Sequence, residues 1–317
     1  MFQGKFKVPS YYKDFSCKGK DCRNCCCQGW RITLTQDEYF HLLNEECSPY
    51  LKERIDTYVG ILPHPSVEEY AIINFNYLGQ CPLRLENGYC GLQTECGEEN
   101  IPSVCRYYPR GPRCHPNMEC SISNSCEWVI ERLISSKEPY SFEEMELAFH
   151  FEDHEDDFQC DENLRQNLFD ILNGDESLKV KLTKIALLLD GENLSEEELN
   201  KTLPQLKTTF SRSVSISSLL ENCSEGTDIL KLHKLYPELD SWISRILMNH
   251  IFYLRYPFIK GIKKPGNCLL CLVGFYLWIL SNNCHGETNE FVDVTSLFFR
   301  VGEHSNIYMV ISSLLSR

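Results

Sequence analysis

The chain has 317 residues, 43% of them hydrophobic, a composition that predicts a folded globular protein of one or two domains. Its net charge of −14 argues against nucleic acid as a partner, because Lys and Arg supply most contacts to phosphates. The longest apolar run, residues 268–280, is shorter than the roughly twenty residues of a membrane-spanning helix. We therefore predict a buried helix there and no membrane span.

Eighteen cysteines are the most unusual feature of the chain, and thirteen of them lie between Cys17 and Cys126. Clustered thiols fit either a disulfide framework in a secreted protein or metal ligands in an intracellular one. The N-terminus lacks the apolar stretch of a signal peptide, and adjacent cysteines are poor disulfide partners because the bridge needs a specific Cα separation. We favour a metal-binding nucleus and a cytoplasmic location. The first cysteine run reads Cys17-Lys-Gly-Lys-Asp-Cys22-Arg-Asn-Cys25-Cys26-Cys27.

Two short elements are predicted after this run. Thr35 and Glu38 have the spacing of a capping box, which predicts a helix that seals one side of the metal nucleus. Residues 70–77 are β-branched and aromatic, and Asn87-Gly88 predicts a small hairpin with Cys81 and Cys90 on its arms. Because these two thiols are nine residues apart, other thiols must join them to complete a site.

From Glu127 onward the pattern becomes helical, with apolar residues at intervals of three and four. The fold class predicted is therefore α+β, mostly α: a cysteine-rich metal-binding head with a small β-hairpin, residues 1–135, followed by a mainly helical domain, residues 136–317. The predicted helices cover residues 128–134, 163–172, 178–189, 195–203 and 237–253.

An acidic segment, residues 138–164, contains no Lys or Arg. Such a run is typical of a solvated face, and it would also suit a surface that docks a cation. Residues 148–151 are compatible with a short strand. His150 and His154 do not have the order of a metalloprotease motif, because the glutamate does not directly follow the first histidine.

Several motifs carry a resemblance to a known family. They comprise Cys22-Arg-Asn-Cys25-Cys26-Cys27-Gln-Gly-Trp30, Cys81-Pro82, Gly88-Tyr89-Cys90, Cys105-Arg106-Tyr107-Tyr108-Pro109-Arg110 and Ser125-Cys126, with weaker matches at 250–258 and 300–305. The chain resembles the flagellin lysine-N-methylases and, more distantly, small zinc- or iron-chelating proteins with a Cys-x-x-x-Cys-Cys motif. The resemblance implies methyl transfer from S-adenosylmethionine to lysines of flagellin by a protein that carries a [4Fe-4S] cluster.

The resemblance also implies a set of candidate metal ligands. Eight thiolates suffice for two sites, or for one site with thiols left over, and zinc accepts the same ligands as the cluster. Cys25 and Cys96 depart from the family pattern and are either extra ligands or bystanders. We expect Cys47, Cys160, Cys223, Cys268, Cys271 and Cys284 to be buried as small apolar side chains, and leave Cys114 and Cys120 open. The candidate ligands are Cys17, Cys22, Cys26, Cys27, Cys81, Cys90, Cys105 and Cys126.

Candidate cofactor-binding residues follow Cys105. Arg106 and Arg110 would hold the carboxylate of a methionine moiety or, the interpretation that we favour, neutralise the thiolates, with Tyr108 between them. The signatures of radical S-adenosylmethionine enzymes and of dinucleotide-binding loops are absent from the sequence. No catalytic residue is identified, although a tyrosine of the Tyr107-Tyr108 pair or a carboxylate of the acidic segment could act as the base.

Two other functions fit the same residues. In the first, the metal only stabilises the small cysteine-rich head while the helical domain binds a protein partner. In the second, the protein is a metal-trafficking or redox protein. Metal analysis and a flagellin methylation assay separate these hypotheses from the enzyme.

Overall fold

The computed structural model describes residues 2–29, 31–149, 160–224 and 226–316. The chain divides into two compact units: unit 1 comprises Met1–Ser16 and Pro109–Arg317, and unit 2 comprises Cys17–Tyr108. Unit 2 is thus inserted into the sequence of unit 1. The predicted domains, 1–135 and 136–317, are a different partition and stay a prediction.

The described residues contain short strands and many helices, so the predicted fold class, mostly α, is confirmed. The strands are β1 (Phe2–Pro9), β2 (Ile32–Leu34), β3 (Val59–Ile61), β4 (Ala71–Ile73), β5 (Arg110–Arg113), β6 (Glu119–Ile122) and β7 (Phe142–Phe149). The helices are α1 (Gln36–Asn44), α2 (Pro49–Tyr58), α3 (Gly91–Cys96), α4 (Ser103–Tyr107), α5 (Glu127–Ser135), α6 (Glu162–Asn173), α7 (Leu178–Asp190), α8 (Glu196–Phe210), α9 (Ser217–Glu221), α10 (Ile229–Leu235), α11 (Leu239–Leu254), α12 (Pro265–Asn283), α13 (Thr288–His304) and α14 (Ile307–Leu314).

Unit 2 is built on an antiparallel sheet in the order β2-β4-β3. Helix α1 begins at Thr35, and the predicted capping box is confirmed: the Thr35 hydroxyl accepts from the Glu38 amide, and the Glu38 carboxylate accepts from the Thr35 amide. Leu34, Leu42 and Leu51 are buried in the core, and several cysteines pack with them. The thiols are therefore part of the apolar interior of this unit: Cys27, Cys47, Cys81, Cys90 and Cys96.

Unit 1 contains a sheet in the order β5-β6-β1-β7, in which β1 is parallel to β6 and antiparallel to β7. The strand predicted at 148–151 begins earlier, at Phe142, and its acidic residues face lysines: Glu144 lies 3.9 Å from Lys5, and Glu143 lies 3.9 Å from Lys13. This part of the acidic segment is a half-exposed strand with ion pairs. Residues 150–159, with the two histidines and five of the eleven acidic residues of the segment, lie outside the described residues.

The predicted buried helix is α12, in which Cys268, Cys271 and Phe275 are fully buried. Its length and apolarity would also suit a membrane span, but 72% of its apolar window is buried inside the protein, as in a core helix. Helix α7 packs closely on it: a Cβ added at Gly266 would lie 2.6 Å from the Ala186 Cα. Helix α11 begins at Leu239, two residues after the predicted Pro237, and α8 continues past Pro204 to Phe210.

Candidate metal centre

Backbone pairing holds the two cysteine-rich runs together. The Cys81 amide donates to the Cys27 carbonyl at 2.8 Å, and the Gly29 amide donates to the Gly79 carbonyl at 3.3 Å. Gln28 and Gln80 form an antiparallel bridge between these bonds. Cys27 and Cys81 are therefore held on neighbouring strand-like segments, although 54 residues separate them in the sequence.

The predicted hairpin is present as a tight turn. The Gly88 amide donates to the Leu85 carbonyl at 2.9 Å, and the Leu85 amide donates to the Tyr89 carbonyl at 2.8 Å. Gly88 has a φ of +88°, which suits glycine in a turn of this kind. Among the described residues the arms pair only through the bridge between Arg84 and Cys90, so the turn carries Cys81 and Cys90 without extended strands.

The loop that contains Cys17 and Cys22 packs against this turn. A Cβ added at Gly19 would lie 3.1 Å from the Tyr89 ring, and one added at Gly88 would lie 3.0 Å from the Lys20 Cβ. The loop and the turn thus pack closely against each other at Gly19 and Gly88, where neither residue has a side chain. Cys17 itself is exposed and accepts from the Gly19 amide at 3.4 Å, whereas Cys22 is half-buried.

Three consecutive thiols form the tightest donor group. The sulfur atoms of Cys25, Cys26 and Cys27 all lie within 4.8 Å of one another. Ligands around a tetrahedral zinc ion at about 2.3 Å from the metal lie about 3.8 Å apart, so a small inward shift would bring these sulfurs onto one ion. This trio can hold a metal, and it includes Cys25, which the sequence pattern left undecided.

The other cysteine run supplies thiols that interact electrostatically with this trio. Burial raises the pKa of Cys81 to about 11, with added effects of Cys90 and Cys25. Burial also raises the pKa of Cys90, and Cys25 contributes there too. The pKa of Cys105 is raised by the protein packed around its sulfur and then by Cys81 and Cys90, although solvent still reaches its side chain.

We call these thiols the thiol set: Cys25, Cys26, Cys27, Cys81, Cys90 and Cys105. Of the six, the trio is the group whose sulfurs all lie within 4.8 Å of one another. Within it, Cys26 and then Cys27 donate to the Cys25 sulfur and lower the pKa of that thiol. The pKa of Cys26 is raised in turn, chiefly by Cys25 and also by Cys105. A bound cation would remove the repulsion between neighbouring thiolates, because metal ligands bind deprotonated.

Arg84 also belongs to this environment and was not predicted from the sequence. Its Nε donates to the Gly88 carbonyl at 3.1 Å, and its charge helps to lower the pKa of Cys25. A basic residue next to thiolates in an otherwise acidic chain is the signal that could have identified it.

The remaining cysteines fall outside the thiol set. Cys126, a predicted ligand, lies in unit 1 at the start of α5. Cys96 lies near Glu45 and Cys47, and burial raises its pKa to about 11. The thiols expected to be apolar core are fully or almost fully buried at Cys223, Cys268, Cys271 and Cys284, while Cys47 and Cys160 are half-buried. The ligand roles of all the predicted cysteines stay predictions.

The candidate cofactor-binding residues divide between the two units. Arg106 lies in unit 2, where it stacks on Tyr107 at 5.1 Å and donates from Nη1 to the Glu99 carbonyl at 3.1 Å. Tyr108 is the last residue of that unit and is half-buried. Arg110 lies in unit 1, with its guanidinium 4.7 Å from the Phe15 ring.

Comparison with known proteins supplies the remaining observation. The chain is 26% identical over 147 residues to the lysine-N-methylase of Salmonella choleraesuis (strain SC-B67) and, equally, to that of Salmonella typhimurium; the match covers 43% of this chain and 34% of each relative. The chain is related to the lysine-N-methylases. Another relative is the flagellar biosynthetic protein FliU of Salmonella muenchen, 26% identical over 138 residues, which cover 40% of this chain and 75% of that protein.

The family resemblance seen in the motifs is thereby confirmed. The chain spans about a third of the length of the two lysine-N-methylases that it matches. No protein-family model matches the chain, and no solved structure matches it.

Proposed function

We propose that this protein is an S-adenosylmethionine-dependent lysine N-methyltransferase that acts on flagellin in the cytoplasm and carries a thiolate-bound [4Fe-4S] cluster in unit 2. The observation that carries the proposal is the close trio Cys25 to Cys27, which backbone pairing to Cys81 joins to the second cysteine run, in a lysine-N-methylase relative. The names of the relatives support methylation and a flagellar connection.

The donor chemistry of the thiol set fits a metal centre. All six side chains are sulfur donors, which suits either zinc or an iron-sulfur cluster. The close trio, Cys25 to Cys27, suits one ion, whereas a four-iron cubane takes four thiolates in all and would need at least one from Cys81, Cys90 and Cys105. The preference for iron comes from the resemblance, and zinc is the alternative metal.

The reaction requires a neutral amine. S-adenosylmethionine supplies a methyl group on a sulfonium, and the lysine nitrogen must lie in line with it. Lysine has an ordinary pKa of about 10.4, so the protein must remove a proton before the nitrogen can attack. Arg106 is the residue of unit 2 that we assign to the carboxylate of the methyl donor, because its buried Nε has no hydrogen-bond partner among the described residues. Tyr108 and Arg110 stay predicted cofactor-binding residues.

The experiment is a methylation assay on anaerobically purified holoprotein. Iron, sulfide and zinc are measured first, and flagellin is then incubated with S-adenosylmethionine and analysed by intact-mass and peptide mass spectrometry. We expect iron and sulfide in the protein and methyl increments on flagellin lysines. A Cys26→Ser variant should lose both, whereas Cys160→Ser, a thiol of unit 1 that donates to Glu162, should keep both.

A loaded protein that leaves flagellin unmodified would reject this function. Zinc in place of iron, together with flagellin binding, would instead support the alternative function, a binding protein whose metal only stabilises its fold.

A further inference from the structure

A cavity of about 410 Å³ in unit 2 lies between helix α1 and residues 99–106. Leu42, Ile101 and Pro102 give it an apolar wall. Arg106 of its lining directly follows Cys105 of the thiol set in the sequence.

His41 in the cavity lining has a defined orientation. The Asn100 side-chain nitrogen donates to the Cys96 carbonyl at 2.6 Å, which turns the Asn100 oxygen toward His41 Nε2 at 2.8 Å. An amide oxygen only accepts, so Nε2 carries the hydrogen and the lone pair of a neutral His41 is on Nδ1. Glu45 lies 3.4 Å from the same Nε2 and reinforces this arrangement.

The charge of the lining favours a cation. Asp37 and Glu99 are exposed, and Glu38 is fixed by accepting from the amides of Thr35 at 2.9 Å and Ser103 at 2.6 Å. The lining thus contains these three carboxylates and one guanidinium, that of Arg106. A ligand with an apolar stem and a terminal cation, such as a lysine side chain, matches both the apolar wall and the acidic rim.

We propose that this cavity binds the side chain of the substrate lysine and that Nδ1 of His41 accepts its ammonium proton. This inference rests on the proposed function. The lysine nitrogen, once neutral, forms a bond to the methyl carbon with its lone pair, and the carbon–sulfur bond of the sulfonium breaks with its electron pair returning to sulfur. His41 retains the proton as an imidazolium stabilised by Glu45, and releases it to solvent afterwards.

Binding is tested without turnover. N-acetyl-lysine amide is titrated into the holoprotein by calorimetry, with N-acetyl-norleucine amide as the ligand that lacks the ammonium. The Asp37→Asn and Glu99→Gln substitutions together should weaken lysine binding about fivefold, the size expected for partly exposed ion pairs. Glu53→Gln is the matched control, because Glu53 is an exposed carboxylate of the same unit outside the cavity lining, and it should leave binding unchanged. Equal affinity in the cavity variant and the wild type would overturn the assignment.

The role of His41 is tested with His41→Gln, whose side-chain amide can still donate to Asn100 but has no basic nitrogen. Methylation at neutral pH should fall about 10²–10⁴-fold, the range for loss of a general base, while affinity for N-acetyl-lysine amide and iron content stay constant. The gap to wild type should narrow as the pH approaches the ordinary lysine pKa of about 10.4, because solvent then removes the proton. A His41→Gln variant with the wild-type rate and pH profile would overturn the proposal.

The two failures are distinguishable. If wild-type holoprotein does not methylate flagellin, the proposed function is rejected. The calorimetric comparison decides on the cavity in either case.

Discussion

Nδ1 of His250 lies 3.0 Å from Oε1 of Glu303 in the interior of unit 1, where neither side chain is reached by solvent. The other carboxylate oxygen accepts from the Ser123 hydroxyl at 2.6 Å and from the Asn124 amide at 2.8 Å. His250 and Glu303 belong to the two segments, 250–258 and 300–305, that match the family only weakly. Their meeting in one network gives both segments a structural role.

The first prediction concerns this network. Glu303→Gln should lower the free energy of unfolding by about 2–3 kcal/mol, because an amide nitrogen cannot accept the hydrogen bonds that the carboxylate accepts. Urea denaturation at neutral pH measures the change. Glu221→Gln, at the exposed end of α9, is the control and should have little effect. Equal stability of the wild type and the Glu303 variant would contradict the role that we give to the pair.

The second prediction concerns Cys25. Because its sulfur lies within 4.8 Å of those of Cys26 and Cys27, Cys25→Ser should weaken metal binding at least about tenfold, the lower limit seen even for residues around metal ligands. Metal content after chelator competition measures this. Cys284→Ser, a buried thiol of unit 1, serves as the control. Wild-type metal retention in the Cys25 variant would mark this residue as a bystander.

The third prediction concerns the contact between α7 and α12. Alanine is normally favoured over glycine in a helix by about 1 kcal/mol, yet Gly266→Ala should destabilise unit 1 by about 1–2 kcal/mol, because the new Cβ would meet backbone at Ala186. Gly274→Ala on the same helix meets the end of the Leu199 side chain, which can move, so its loss should be smaller. Thermal and chemical denaturation give the ranking, and a more stable Gly266 variant would be inconsistent with this packing.

The fourth prediction is a pH dependence. Lys181 is buried, and its Nζ donates to the Leu172 carbonyl at 2.9 Å and the Ser244 hydroxyl at 3.0 Å. Burial lowers its pKa, so the unfolded chain binds this proton more tightly than the folded one. The free energy of unfolding should therefore rise with pH between the lowered pKa and the ordinary value of about 10.4, by about 1.4 kcal/mol for each unit of the shift.

Lys181→Met should lack this rise, and the difference from wild type should be measured by urea denaturation across the alkaline range. Lys184→Met, at an exposed position of the same helix, should keep it. Parallel curves for the wild type and Lys181→Met would refute the assignment.

Local patterns in the sequence predicted the helices best. The capping box at Thr35 and the helical spacing after Glu127 identified elements whose signals lie within one turn, and the ends of α6 and α7 agree within about one residue, the margin normal for helix boundaries. The short strands β2 and β3 were missed, because three residues carry too little periodicity. Strand β1 was missed because its partners, β6 and β7, lie more than a hundred residues away in the sequence.

The candidate site, too, could be predicted from the sequence only in part. Clustering and family motifs identified most of the thiol set from sequence. Cys25 was left undecided because the motif assigns no role to its position, while its place in the trio depends on how the loop folds. No sequence pattern indicated a role for His41, because its orientation depends on Asn100, which lies 59 residues away in the sequence.

The order of strands in unit 1 has a consequence for biosynthesis. Strand β1 lies between β6 and β7, so the ribosome must deliver residues 119–149 before this sheet can close. All of unit 2 is synthesised in that interval. Because domains generally fold as units during translation, the cysteine-rich insertion can fold before β6 and β7 have been synthesised to pair with β1.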